Sequence, residues 1–147
     1  MGRVTAKITV ENLGDYLLYR RGDIPDTQIR SLEIDDALVD TGATLLCLKP
    51  EQITTLGLPL LEVREVRTAS GSVLRHVYEG ARLTIMGRTC SLDVMEVPGD
   101  TPVLVGYIPL ENLDLQPDPQ SQQLIPNPAH GGKWILDLYY CNVDKDF

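Results

Sequence analysis

The amino-acid sequence predicts a mainly antiparallel β fold. Three observations carry this expectation. Apolar and polar residues alternate over short runs bounded by turn residues, as in half-buried strands. Two hairpin signals, Ala69-Ser70-Gly71-Ser72 and Met86-Gly87-Arg88, punctuate the middle of the chain. Helix signals are confined to two short stretches. The 147 residues, 43% hydrophobic and 23% charged, suit one domain over residues 1–147 that buries its core without metal or disulfide support.

Each element follows from its residues. Val4-Thr5-Ala6-Lys7-Ile8-Thr9-Val10 alternates strictly and predicts a first strand. Gly14 to Gln28, with Gly, Pro and several Asp and Arg around Tyr16 and Tyr19, predicts a long connecting loop in which Arg21-Gly22-Asp23 is a turn. Ile29 to Ile34 is β-like, and Ala37-Leu38-Val39 is a short apolar run leading into Asp40-Thr41-Gly42. Leu45-Leu46-Cys47-Leu48 is apolar on both faces, as in a strand buried in the core. Pro50 suits the first position of a helix that Gly57 ends. Val63–Thr68 and Val73–Tyr78 flank the first hairpin tip, and the second hairpin leads into the alternation of Cys90, Leu92 and Val94 with Ser91 and Asp93. Val103-Leu104-Val105-Gly106 predicts a buried strand ending in glycine, and Ile108–Leu113 a brief helix with Pro109 near its start. Gln116 and Leu124-Ile125, bracketing Pro-Asp-Pro-Gln-Ser, predict a small hairpin, and Trp134–Tyr139 a last strand. The sum is about nine short strands and two short helices.

Composition excludes several functions. Thirteen Lys and Arg against 21 Asp and Glu leave a net charge of -8, which repels a polyanion, and Arg20-Arg21 is too short to form a basic patch. No nucleic-acid partner is expected. Cys47, Cys90 and Cys141 are odd in number and far apart, which argues against a disulfide framework and a zinc site and for a reducing, cytoplasmic compartment. With His76 and His130 as the two histidines, no metal site is expected, nor any other cofactor. No run of 18 apolar residues exists, so no membrane-spanning helix is expected. The first residues lack the apolar core of a secretory signal, and Ala6 breaks the myristoylation pattern. Cys47, inside an apolar run, reads as inert core rather than nucleophile.

The stretch that carries chemistry is Leu38-Val39-Asp40-Thr41-Gly42-Ala43-Thr44. An isolated Asp-Thr-Gly arises by chance in roughly a few per cent of chains this long, and then serves mostly as a turn whose carboxylate accepts nearby backbone N–H groups. Context sharpens it: an apolar strand on either side, a Gly-terminated strand about 60 residues downstream, and a flexible hairpin tip in between. With these residues the sequence resembles the retropepsin-like aspartic proteases over roughly Leu32 to Leu113, closest to non-viral, bacterial-type members that also carry a Pro-initiated helix ending in Leu-Gly-Leu, here Leu56-Gly57-Leu58.

The resemblance implies a retropepsin-like acid-protease fold: a closed, mostly antiparallel β barrel with a flap hairpin and one or two short helices. It implies an endopeptidase in which Asp40 is catalytic and a polypeptide is the substrate. Two carboxylates must share one proton across one water, yet the chain has one Asp-Thr-Gly and neither a second copy nor an Asp-Ser-Gly. A homodimer is therefore implied, with Asp40 meeting its symmetry mate. By similarity, the Thr41 hydroxyl bonds across the dimer axis, Gly42 lets substrate approach the backbone, Ala43 and Thr44 line the site, Val105 and Gly106 pack under the Asp loop, and Ala69-Ser70-Gly71 form the flap tip. Two positions depart from the viral pattern. Thr44 stands where an Asp is usual and Tyr107 where an Arg is usual, and those groups form an ion pair near the viral dimer interface. Their joint absence implies a different interface, since a lone buried charge would be costly. Two readings of other classes stand beside the enzyme: a retropepsin-fold peptide-binding or dimerisation module without turnover, and a structural β domain.

Overall fold

The computed structural model describes residues 3–139. Cys141 lies outside them. Nine strands and three α-helices follow in the order β1 (Thr5–Asn12), α1 (Leu13–Arg20), β2 (Ser31–Val39), β3 (Leu46–Leu48), α2 (Pro50–Leu56), β4 (Leu60–Thr68), β5 (Gly71–Ile85), β6 (Arg88–Glu96), β7 (Leu104–Val105), α3 (Tyr107–Leu113), β8 (Leu115–Asp118) and β9 (Gln123–Pro126), with 3-10 turns at Asp26–Gln28 and Pro128–His130. The seven-stranded sheet runs β1-β2-β7-β3-β6-β5-β4, and a further β1–β5 pairing closes six of its strands into a ring. The ring is mixed: β2–β7 and β3–β6 are parallel, and the other pairs are antiparallel. The closed, mostly antiparallel arrangement expected from the sequence takes the form of a mixed ring, with four of its six pairings antiparallel and two parallel. β4 lies outside the ring and pairs with β5 as a projecting hairpin.

The alternation read in the sequence becomes burial. Ile8 and Val10 of β1, Leu83 and Ile85 of β5, Val94 of β6 and Val105 of β7 point into one core, where each is at most 1% exposed. Burying each such side chain stabilises the fold by about 1.5–3 kcal/mol. β3 contributes Leu46 and Leu48 to the same core. Its third residue, Cys47, faces the other way and joins a second cluster with Met95 and Val97. α2 starts at Pro50 and ends on Gly57, whose φ of 64° is the left-handed conformation a glycine cap supplies. The Met86-Gly87 turn has both residues at positive φ, 53° and 77°, which matches the twist of a tight hairpin.

Three expectations change. The loop expected over Gly14–Gln28 contains α1, a helix with no buried residue. Its stability comes from its ends: Asn12 Oδ1 accepts from Asp15 N at 2.9 Å, and Asp15 pairs with Arg30 at 2.8 Å. The Arg82 guanidinium lies 3.6 Å from the Tyr16 ring centroid. Asn12 Nδ2 also donates to the Leu56 carbonyl at 2.8 Å, so this buried amide joins α1 to the end of α2. The runs 29–34 and 37–39 form one strand, because Asp35 and Asp36 together oppose a single residue of β1 as a bulge. Trp134–Tyr139 is not a strand. It pairs with no strand and runs beside α3 on side-chain bonds: Trp134 Nε1 donates to the Asn112 carbonyl at 3.0 Å and Ile135 N to Asp114 Oδ2 at 3.2 Å. No helix among the described residues is long and apolar enough to cross a membrane.

Candidate active site

Asp40 directly follows β2, at the end of its parallel pairing with β7. β2 and β7 run side by side with Val39 opposite Val105, and Asp40 N donates to the Val105 carbonyl at 3.0 Å. The chain then turns sharply. Gly42 N donates to Asp40 Oδ1 at 2.9 Å and Ala43 N to the Asp40 carbonyl at 3.0 Å. The next three carbonyls are taken by the strand-to-helix junction after β7. Tyr107 N donates to Ala43 at 2.9 Å, Ile108 N to Thr44 at 3.1 Å and Gly106 N to Leu45 at 3.0 Å. Gly106 is indispensable to this approach: a Cβ there would sit 2.5 Å from the Leu45 oxygen and 2.6 Å from the Ala43 oxygen. Asp40 is half-buried, and the backbone bonds of its loop to β7 and to the start of α3 set its position.

Thr41, Gly42 and Thr44 are exposed, and Ala43 is half-buried. Gly42 and Thr44 form one side of a groove of about 380 Å³ whose other walls are Leu45, Arg64–Arg67 of β4, Val77 and Met95. Its floor is the second apolar cluster, where Leu45, Val66 and Leu104 pack on Cys47, Met95 and Val97. Thr41 faces away from this groove, into a cavity of about 480 Å³ that it shares with Tyr107, Leu136 and Asp137. Ala69, Ser70 and Gly71 sit exposed at the hairpin tip and are not among the groove walls. Thr68 Oγ1 closes the tip by donating to the Gly71 carbonyl at 2.7 Å. The Cys47 thiol is pushed up to about 12, by burial first and by the Asp40 charge second, so it stays protonated at neutral pH and is no nucleophile.

Residues 26–112, more than half of the chain, match the family model described as "gag-polyprotein putative aspartyl protease". The chain belongs to this retropepsin-like family. No curated protein matches the chain. The retropepsin-like match takes in the Asp40 loop, the β4–β5 hairpin and Val105-Gly106, and leaves β1, α1 and everything after Asn112 outside it.

The motif led to the loop but not to the groove. Arg64, Val66, Val77 and Met95 form its walls without any motif of their own. Their signal was the alternation along β4 and β5, which gives a face only once the register Val66↔Val73 is known.

Proposed function

We propose that the chain, as one retropepsin-like domain, is an aspartic endopeptidase that works as a homodimer. The observation that carries this is the Asp40 loop: the carboxylate accepts from Gly42 N, the loop backbone is tied to β7 and to the start of α3, and Gly42 and Thr44 beside Asp40 line an apolar-floored groove. One such aspartate per chain supplies half of a dyad. Two chains brought together place Asp40 beside its mate, where like charges that close share one proton. The ionised carboxylate takes a proton from water as the water attacks the scissile carbonyl. The protonated carboxyl polarises the carbonyl oxygen, and the proton passes on to the leaving amine. Thr41 bonds across the dimer axis, Gly42, Ala43 and Thr44 line the path of the polypeptide, Val105 and Gly106 support the loop, and the Ala69-Ser70-Gly71 tip closes over substrate to exclude water.

The surface beside Thr41 suits a second copy. Tyr107 is 41% exposed and Leu136 75%, and both share a cavity with Thr41 next to the loop that must meet its mate. Cys47 and Cys90 are free thiols, in keeping with a reducing, cytoplasmic compartment.

Incubating the purified protein with an unstructured polypeptide tests the proposal. Cleavage should appear, be blocked by an aspartic-protease inhibitor, and follow a bell-shaped pH profile on the acidic side of neutral. Asp40→Asn should abolish it while circular dichroism shows an intact fold. Cleavage retained by that variant would overturn the assignment.

A further inference from the structure

β4 and β5 form a ladder in which directly opposite residues share a face. The opposed pairs are Glu62↔Val77, Arg64↔Arg75 and Val66↔Val73 on one face, and Val63↔His76 and Glu65↔Leu74 on the other. The first face is the inner one. Val77 is buried and Val66 packs on the cluster under the groove, whereas Val63 and Leu74 are 52% and 67% exposed. Arg64 and Arg75 therefore stand opposite each other on the side of the hairpin that looks into the groove beside Asp40, and Arg64 lines it.

Like charges directly opposite destabilise a ladder. The compensation these two receive is partial and open to solvent. Arg64 Nε lies 3.7 Å from Glu62 Oε1, with both side chains about half exposed, and Arg75 Nη1 donates to the Leu74 carbonyl next to it at 3.2 Å. Arg64 lines the groove together with Glu65 and Arg67, and Arg75 stands opposite Arg64 on the ladder, outside the groove walls, in a chain with a net charge of -8. A local rule broken with only partial compensation is what a functional position shows.

We infer that Arg64 and Arg75 form an anion subsite that selects a Glu or Asp side chain in the polypeptide substrate. The inference rests on the peptidase function proposed above. A carboxylate between the two guanidinium groups accepts from both, and each planar fork matches its two oxygens. The repulsion across the ladder then becomes attraction that only an acidic substrate supplies.

The probe is a set of fluorescent peptides around an apolar scissile pair, with Glu, Gln, Lys or Leu scanned through each flanking position. At about pH 6, where a Glu side chain is ionised, one position should favour Glu over Gln in kcat/KM by on the order of tenfold. Arg64→Gln and Arg75→Gln should each erase most of that ratio, because kcat/KM for the Glu peptide falls to the level of the Gln peptide on the same variant. Arg21→Gln, which removes the same charge at a distance, should keep it. Binding of the Glu and Gln peptides to the Asp40→Asn protein, read by anisotropy, should show the same preference and lose it in 1 M salt. Cleavage and binding indifferent to Glu would overturn the subsite while leaving the peptidase standing. Glu-selective binding by a wild-type protein that cleaves nothing would overturn the peptidase and leave the subsite.

Discussion

Gly106 couples β7 to the Asp40 loop at backbone distance, so Gly106→Ala tests how rigidly that loop must be held. The new Cβ meets two carbonyl oxygens at 2.5 and 2.6 Å, neither of which is a flexible side-chain end. The loop must shift, at a cost of roughly 1–3 kcal/mol in stability. Cleavage should fall by more than the unfolded fraction accounts for, because the shift moves Asp40; thermal melts and initial rates on the same sample check this. Two other carboxylates matter to acid behaviour. Asp15 is held below its ordinary range by the hydrogen bond and charge of Arg30. Asp114, the left-handed cap of α3, is held down first by its hydrogen bond to His130. Depressed folded values stabilise the fold above the unfolded carboxyl range and lose that contribution as pH falls through the folded values. Thermal stability should therefore be level near neutrality and drop below about pH 4. Asn tolerates the left-handed position, so Asp114→Asn should melt lower at pH 7 and show a shallower acid drop, measured by melts at both pH values.

At the scale of elements, the flap hairpin is the part expected to move. Gly71 has φ of 120° at the tip, a conformation closed to proline, whose ring fixes φ near -65°. Gly71→Pro should cut turnover by roughly tenfold or more while shifting the melting temperature by only a few degrees, since nothing at the tip is buried. Equal turnover would show that the tip does not gate the groove. The elements also show where sequence is a sufficient guide. Pro50 and Gly57 mark α2 correctly because caps are local chemistry. Leu38–Asp40 and Val103–Gly106 were legible as apolar runs, but not that they lie parallel, which depends on how the ring closes. α1 was hidden although Leu13, Tyr16 and Leu17 stand at i, i+3 and i+4: it is eight residues long, carries Gly14 in its first turn, and its supports, Arg30 and Arg82, lie far along the chain. Trp134–Tyr139 reads as a strand from its apolar and aromatic residues, yet a strand forms only with a partner to pair with, which the run itself does not show. Of the candidate site, the Asp40 loop was readable as a motif. The Arg64–Arg75 pair was not, because opposition across a ladder is a property of register.

At the scale of the whole molecule, the sheet closes into a ring at the β1–β5 pairing and carries one Asp-Thr-Gly, half of the dyad that the proposed endopeptidase needs, with exposed Leu136 beside Thr41. If catalysis needs two chains, activity depends on association, and dilution below the dimer dissociation constant should lower specific activity by mass action. The most direct measurement mixes wild-type protein with increasing Asp40→Asn protein at constant total concentration, under conditions where subunit exchange is demonstrated. Each mixed dimer carries one carboxylate and one amide, and the amide cannot share a proton as the dyad requires. Activity should follow the square of the wild-type fraction. A linear dependence would mean that each chain works alone, and would contradict the shared dyad.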